Sequence, residues 1–139
     1  MIKINFQNGK TKLNKEMFDT FQNNIEAGIN EATNTTKTNI PTIGNIRNFG
    51  KLAILNIATT ESKNNVENNK ATVLATLDGK WRPTVTLITN SVIAKDEKYT
   101  IIPNCYVILR NTGVLEFYQA SGVTKNVRQI LGQISYFIS

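Results

Sequence analysis

Six side chains carry the aromatic and polar chemistry that a ligand would meet. Tyr106 and Arg110 fall in "CYVILR", Glu116 and Tyr118 in "VLEFYQ", Trp81 in "DGKWRPT" and Arg128 in "VRQIL". A tyrosine offers a rigid ring to the C–H face of a sugar and a hydroxyl to its edge. A carboxylate and a guanidinium hydrogen-bond vicinal hydroxyls, or in the case of arginine a phosphate. Alternation puts Tyr106, Ile108 and Arg110 on one side of the first segment, and Val114, Glu116 and Tyr118 on one side of the second. "RNTG" between them reads as a type I turn closed by a glycine bulge, which sets Tyr106 near Tyr118 and Ile108 near Glu116. That face is too apolar for bare solvent and too polar for a core. It suits a binding cleft or a structural interface, and the residues alone leave both open.

The same inventory excludes most other chemistry. The chain has no histidine, so the commonest general base and the commonest zinc ligand are missing, and neither a metal site nor a cofactor is expected. Cys105 is alone and reads as a small buried hydrophobe. Glu116 by itself does not make the two-carboxylate pair of a glycosidase, and no enzyme is expected. The net charge is +6, yet the lysines come in ones and twos without interleaved aromatics. Nucleic acid is therefore not an expected partner. No segment approaches the roughly 20 apolar residues of a membrane span. The start, "MIKINFQNGK", lacks the features of a signal peptide, which gives the expectation of a product made in the cytoplasm.

These side chains need strands to hold them. "KLAILNIAT", "ATVLATL", "RPTVTLIT", "YTIIP", "CYVILR", "VLEFYQ" and "RQILGQISYFI" read as short strands between polar turns, the spacing of an antiparallel sandwich or barrel. Ile2, Ile4 and Phe6 alternate as in a short strand. "NKEMFDTFQNNIEAGINEAT" is the one convincing helix, with Asn14 as N-cap and Leu13 stapled to Phe18. Its apolar stripe, Phe18, Phe21, Ile25, Gly28 and Ala32, packs either on the β domain or on copies of itself. In "IPTIGNIRNFG", Ile40, Ile43, Ile46 and Phe49 recur every third residue. Either three such chains wind together along an axis, or the segment is a loop dipping into the core. The organisation expected is an N-terminal strand and helix over 1–37, a neck or linker over 38–50 and a β head over 51–139.

Gly79-Lys80-Trp81-Arg82-Pro83, the hairpin "RNTGVLEF" about thirty residues later and the closing "ISYFI" together resemble the head domain of phage receptor-binding proteins of the lactococcal siphophage type. The match covers roughly 71–139. "KTKLNKEMFDTFQNNI" is similar to a segment near the start of such tail and baseplate proteins, with Lys12 where a proline often stands. The resemblance implies a mainly β homotrimer in a virion, with a helical stem, a β-prism neck and a β-sandwich head, whose heads bind cell-wall polysaccharide or teichoic acid in clefts near protomer interfaces. It assigns Phe18, Phe21, Ile25 and Ala32 to the stem and Ile40, Ile43, Ile46 and Phe49 to the neck, with the N-terminus contacting other tail proteins. Family heads often carry histidine, aspartate or tryptophan where this chain has Tyr106, Ile108, Glu116 and Tyr118. Arg128 is a peripheral candidate, and Trp81 either caps the sandwich edge or trimer interface or stacks on a sugar. The competing readings are a structural baseplate protein without a saccharide site and a glycan-processing enzyme.

Overall fold

The computed structural model describes residues 15–33 and 35–139. The expected strand over Ile2–Phe6, the Asn14 cap, the Leu13 staple and the side chain of Ala32 lie outside the described residues. Helix α1 (Lys15–Thr33) is supported along its length by pairs four residues apart. Lys15 and Asp19 meet at 2.6 Å, and Gln22 donates to Glu26 at 3.0 Å. Such pairs add a few tenths of a kcal/mol each, about 0.2–0.5. Phe18, Phe21 and Ile25 are 59%, 50% and 46% exposed.

A second compact unit begins at Thr35 and runs to Ser139. Its strands are β1 (Lys37–Ile40), β2 (Gly44–Phe49), β3 (Leu52–Ala58), β4 (Lys63–Val66), β5 (Thr72–Thr76), β6 (Leu87–Thr89), β7 (Val92–Lys95), β8 (Ile101–Ile102), β9 (Cys105–Leu109), β10 (Val114–Gln119), β11 (Lys125–Val127) and β12 (Gln129–Phe137). A six-stranded sheet has the order β1-β2-β3-β12-β7-β8, a four-stranded sheet β5-β10-β9-β6, and β11 pairs with β4. Among the described residues the chain is thus mainly β with one α-helix, and its ladders are antiparallel. Among the described residues no helix is long and apolar enough to cross a membrane.

Alternation decides what each strand buries. Ala53, Leu55 and Ile57 of β3, Ile130, Ile134 and Tyr136 of β12, Val107 and Leu109 of β9, and Leu115 and Phe117 of β10 form one buried cluster drawn from both sheets. The Val, Leu, Ile and Phe side chains among them contribute roughly 1.5–3 kcal/mol each on leaving water. Cys105 joins the cluster, as its sequence context implies.

The period-three segment does not stand apart as a neck. β1 and β2 form a hairpin, and β2 continues the sheet against β3 through six paired positions from Gly44↔Ile57 to Phe49↔Leu52. The spacing has a local cause: Ile40 ends one strand, Ile43 sits in the turn, and Ile46 lies mid-strand. Ile43 and Ile46 are buried, whereas Phe49 faces solvent on the sheet's outer side. The described β unit accordingly starts at Thr35 rather than residue 51.

Four further departures follow from non-local pairing. "RPTVTLIT" is a strand only over Leu87–Thr89, because Gly79–Trp81 is a short 3₁₀ turn and Pro83 makes a single bridge to Ile138. The polar segments of β4 and β11 pair with each other, and β7, from "SVIAK", lies between β12 and β8. None of the three shows an apolar alternation long enough to mark it.

Gln119, at the end of β10, is fully buried and ties three segments together. Its Nε2 donates to the Val66 and Val123 carbonyls, each at 2.6 Å, and its Oε1 accepts from the Ser121 hydroxyl at 2.6 Å. Gln119→Leu keeps the bulk but removes the side-chain donor of the buried Val66 carbonyl, one of the two donors to the Val123 carbonyl and the acceptor of the Ser121 hydroxyl. A loss of roughly 2–4 kcal/mol is expected in urea unfolding, with the slope unchanged.

Candidate functional site

The outer face of the four-stranded sheet carries the Tyr106 cluster. The Arg110–Val114 turn closes as its sequence implies: Gly113 N–H donates to the Arg110 carbonyl at 2.8 Å, and Arg110 N–H to the Val114 carbonyl at 2.9 Å. Gly113 has φ +92° there, and a Cβ would come 2.7 Å from the Leu77 carbonyl oxygen. That turn sets the expected register, with Tyr106 opposite Tyr118 and Ile108 opposite Glu116. The two tyrosine rings are parallel within 3°, their centroids 5.1 Å apart. Each spends one face on the other, and both side chains remain half-buried.

One position along, Arg110 meets Glu116 across the hairpin. Nε and Nη2 reach the same carboxylate oxygen, Oε2, at 2.8 and 2.7 Å. The hydrogen bond to Glu116, then its charge, push the Arg110 guanidinium up from its ordinary value, against desolvation and with smaller help from Tyr118. Among the described residues Glu116 Oε1 has no hydrogen-bond partner, and the guanidinium N–H groups engaged by neither Glu116 nor Tyr118 remain for a ligand. The row is completed by apolar neighbours: Val73 of β5 stands opposite Glu116, and Ile88 of β6 opposite Ile108. Val73 and Ile88 are 56% and 70% exposed. The ion pair is thus flanked by exposed apolar side chains on the outer side of the sheet.

Trp81 does not belong to this face. It is 3% exposed, its carbonyl accepts from the Tyr136 hydroxyl at 2.8 Å, and its Nε1 finds no acceptor among the described residues. A stacking platform needs a free ring face, so Trp81 is a core plug. The Pro83–Ile138 bridge and the Thr84 N–H bond to the Phe137 carbonyl draw its segment onto β12. Burial likewise drives the Tyr136 phenol upward. Neighbouring Arg82 is exposed and forms no ion pair with Asp78 among the described residues.

Arg128 also lies elsewhere, just before β12 of the six-stranded sheet, with its guanidinium 4.6 Å from the Tyr99 ring centroid. Tyr99 is a residue that sequence reasoning passed over. It closes the β7–β8 turn, where its N–H donates to the Asp96 carbonyl and Asp96 N–H to the Thr100 carbonyl, each at 2.9 Å. This repeats the pattern of the Arg110–Val114 turn, but the left-handed position held there by Gly113 is held here by a tyrosine at φ +61°. An L residue pays about 1–2 kcal/mol for that conformation.

A second unanticipated feature lies on the outer face of the six-stranded sheet. Asn45, Asn56 and Gln133 are opposite one another on β2, β3 and β12. Asn56 donates to Asn45 at 3.1 Å, and Gln133 donates to Asn56 at 2.8 Å. With Arg47, Phe49 and Ile54 they line a groove of about 280 Å³. Three amides, the outermost 88 positions apart in sequence, become neighbours only through strand order, which no local pattern announces.

Cys105 offers no nucleophile. Its Sγ donates to the Ile102 carbonyl at 3.4 Å, and burial pushes the thiol from 9.0 up to about 11. The neutral form is therefore favoured in the folded chain, and this contribution to stability is complete below pH 9 and lost as the pH rises towards 11. A thiol reagent at pH 8 is expected to modify Cys105 only after denaturant is added, with rapid modification of the native protein the contrary result.

No family model matches this chain, and no curated protein matches it.

Proposed function

We propose that this chain is the receptor-binding protein of a phage tail or baseplate, holding host cell-wall saccharides on the outer face of its four-stranded sheet. The observation that carries the reading is the pairing of Tyr106 with Tyr118 beside the Arg110–Glu116 ion pair on one outer face of the sheet. Parallel rings supply a rigid apolar ridge for sugar C–H groups, and the ion pair supplies both acceptors and donors for hydroxyls. The motif resemblance supports the phage setting, and the two sheets sharing one core support a sandwich head. Exposed Phe18, Phe21 and Ile25 support self-association through the helix, with the trimer as the proposed state. Several heads engaging one wall multiply a weak single-site affinity.

Incubating the purified chain with intact Gram-positive cell walls, and assaying both retention and released sugars, tests this directly. Saturable retention without release is the expected result. No retention across a broad strain panel would favour a purely structural tail component, and sugar release an enzyme.

A further inference from the structure

A pocket of about 520 Å³ opens where the end of β3, the start of β12 and the β7–β8 turn converge. Thr59, Thr60, Ser62, Tyr99, Arg128 and Gln129 line it, so the lining holds one cation and no carboxylate. Thr59 is 5% exposed and its Oγ1 accepts the Ile130 N–H at 2.9 Å, while no acceptor among the described residues takes its hydroxyl proton. Nor do the Thr60 and Ser62 hydroxyls or the Gln129 amide have side-chain partners among the described residues, and Arg128 has no ion-pair partner there.

The nearby acids are turned to other work. Asp96 Oδ1 accepts the Lys98 and Thr100 N–H groups, each at 2.9 Å, and Glu97 Oε1 accepts from Asn126 at 3.1 Å. Glu61, between Thr60 and Ser62 in the chain, is not among the lining residues. An unpaired guanidinium that shares a pocket lining with hydroxyl donors is an arrangement suited to a tetrahedral oxyanion, because each donor can find a separate oxygen. Tyr99 holds the guanidinium from one side through its ring face. Its occupation of a turn position better suited to glycine is then explained by that task.

We propose that this pocket binds a phosphate group, free or as a monoester. Arg128 is the anion-binding group, the Thr59, Thr60 and Ser62 hydroxyls are further donors, and Tyr99 is a positioning residue. The site is separate from the tyrosine face and stands whether or not that face binds saccharide.

Calorimetric titration of the full chain with inorganic phosphate, glycerol 1-phosphate and glycerol tests it. Saturable binding of the two phosphates and none of glycerol is expected. Arg128→Gln, at an exposed position, should weaken glycerol 1-phosphate by about tenfold or more. Tyr99→Gly relaxes the turn, keeps the fold and should weaken binding several-fold, because Arg128 loses its support. Tyr118→Ala should leave phosphate binding unchanged, which separates a failure here from a failure of the saccharide reading. Equal binding of glycerol and glycerol 1-phosphate, no saturable phosphate binding, or affinity indifferent to Arg128→Gln or to Tyr99→Gly would overturn the proposal.

Discussion

Tyr118→Ala is expected to abolish retention on cell walls while leaving the fold and the oligomer intact. The substitution removes one ring of the parallel pair and a contact of the Arg110 side chain, leaving Tyr106 without its stacking partner. A central aromatic anchor of this kind is worth about 2 kcal/mol, roughly 30-fold in affinity at each head. If several heads act together the loss compounds, since avidity depends on every site remaining occupied. Tyr118→Phe keeps the stack and removes only the hydroxyl, so an intermediate loss is expected. Wall retention measured alongside thermal unfolding and light scattering separates these outcomes from misfolding. Undiminished retention by Tyr118→Ala would mean that the ligand lies on another face.

Gly44→Ala should have the largest effect on stability. Gly44 begins β2 at φ +147°, and a Cβ there would come 2.2 Å from the Asn56 carbonyl oxygen. The obstacle is backbone, paired in register on β3, so it has no flexible end that can swing aside. Its neighbours are equally committed: Ala58 N–H donates to the Ile43 carbonyl at 2.7 Å, and Ile43 is buried. Relieving the clash therefore means parting β2 from β3. A loss of more than about 3 kcal/mol is expected in denaturant unfolding. A loss below 1 kcal/mol, on the order of an ordinary surface change, would contradict the close approach.

The parts of this molecule that were legible in its sequence are those fixed within a short stretch of chain. The β9–β10 register follows from four turn residues and the alternation on either side, which together set Tyr106 opposite Tyr118. β3 and β12 announced themselves by alternation alone. The misses are non-local. Trp81 is open in sequence between an edge or interface cap and a stacking platform, and its burial with the bond to Tyr136, 55 residues away, decides for a structural role. Ile40, Ile43 and Ile46 had a period that two strands and a turn reproduce as well as an extended helix does. Tyr99 sits where glycine is the economical residue, so turn chemistry gave no reason to look for an arginine partner near residue 128. The amides of Asn45, Asn56 and Gln133 meet only because β12 returns between β3 and β7.

The most direct measurement is hydrogen–deuterium exchange on the intact chain with and without extracted wall polysaccharide. Saccharide bound at the tyrosine face predicts new protection in peptides spanning 105–119, strongest around Tyr106 and Tyr118 and absent in Tyr118→Ala. Saturating polysaccharide that leaves those peptides unchanged would contradict the account.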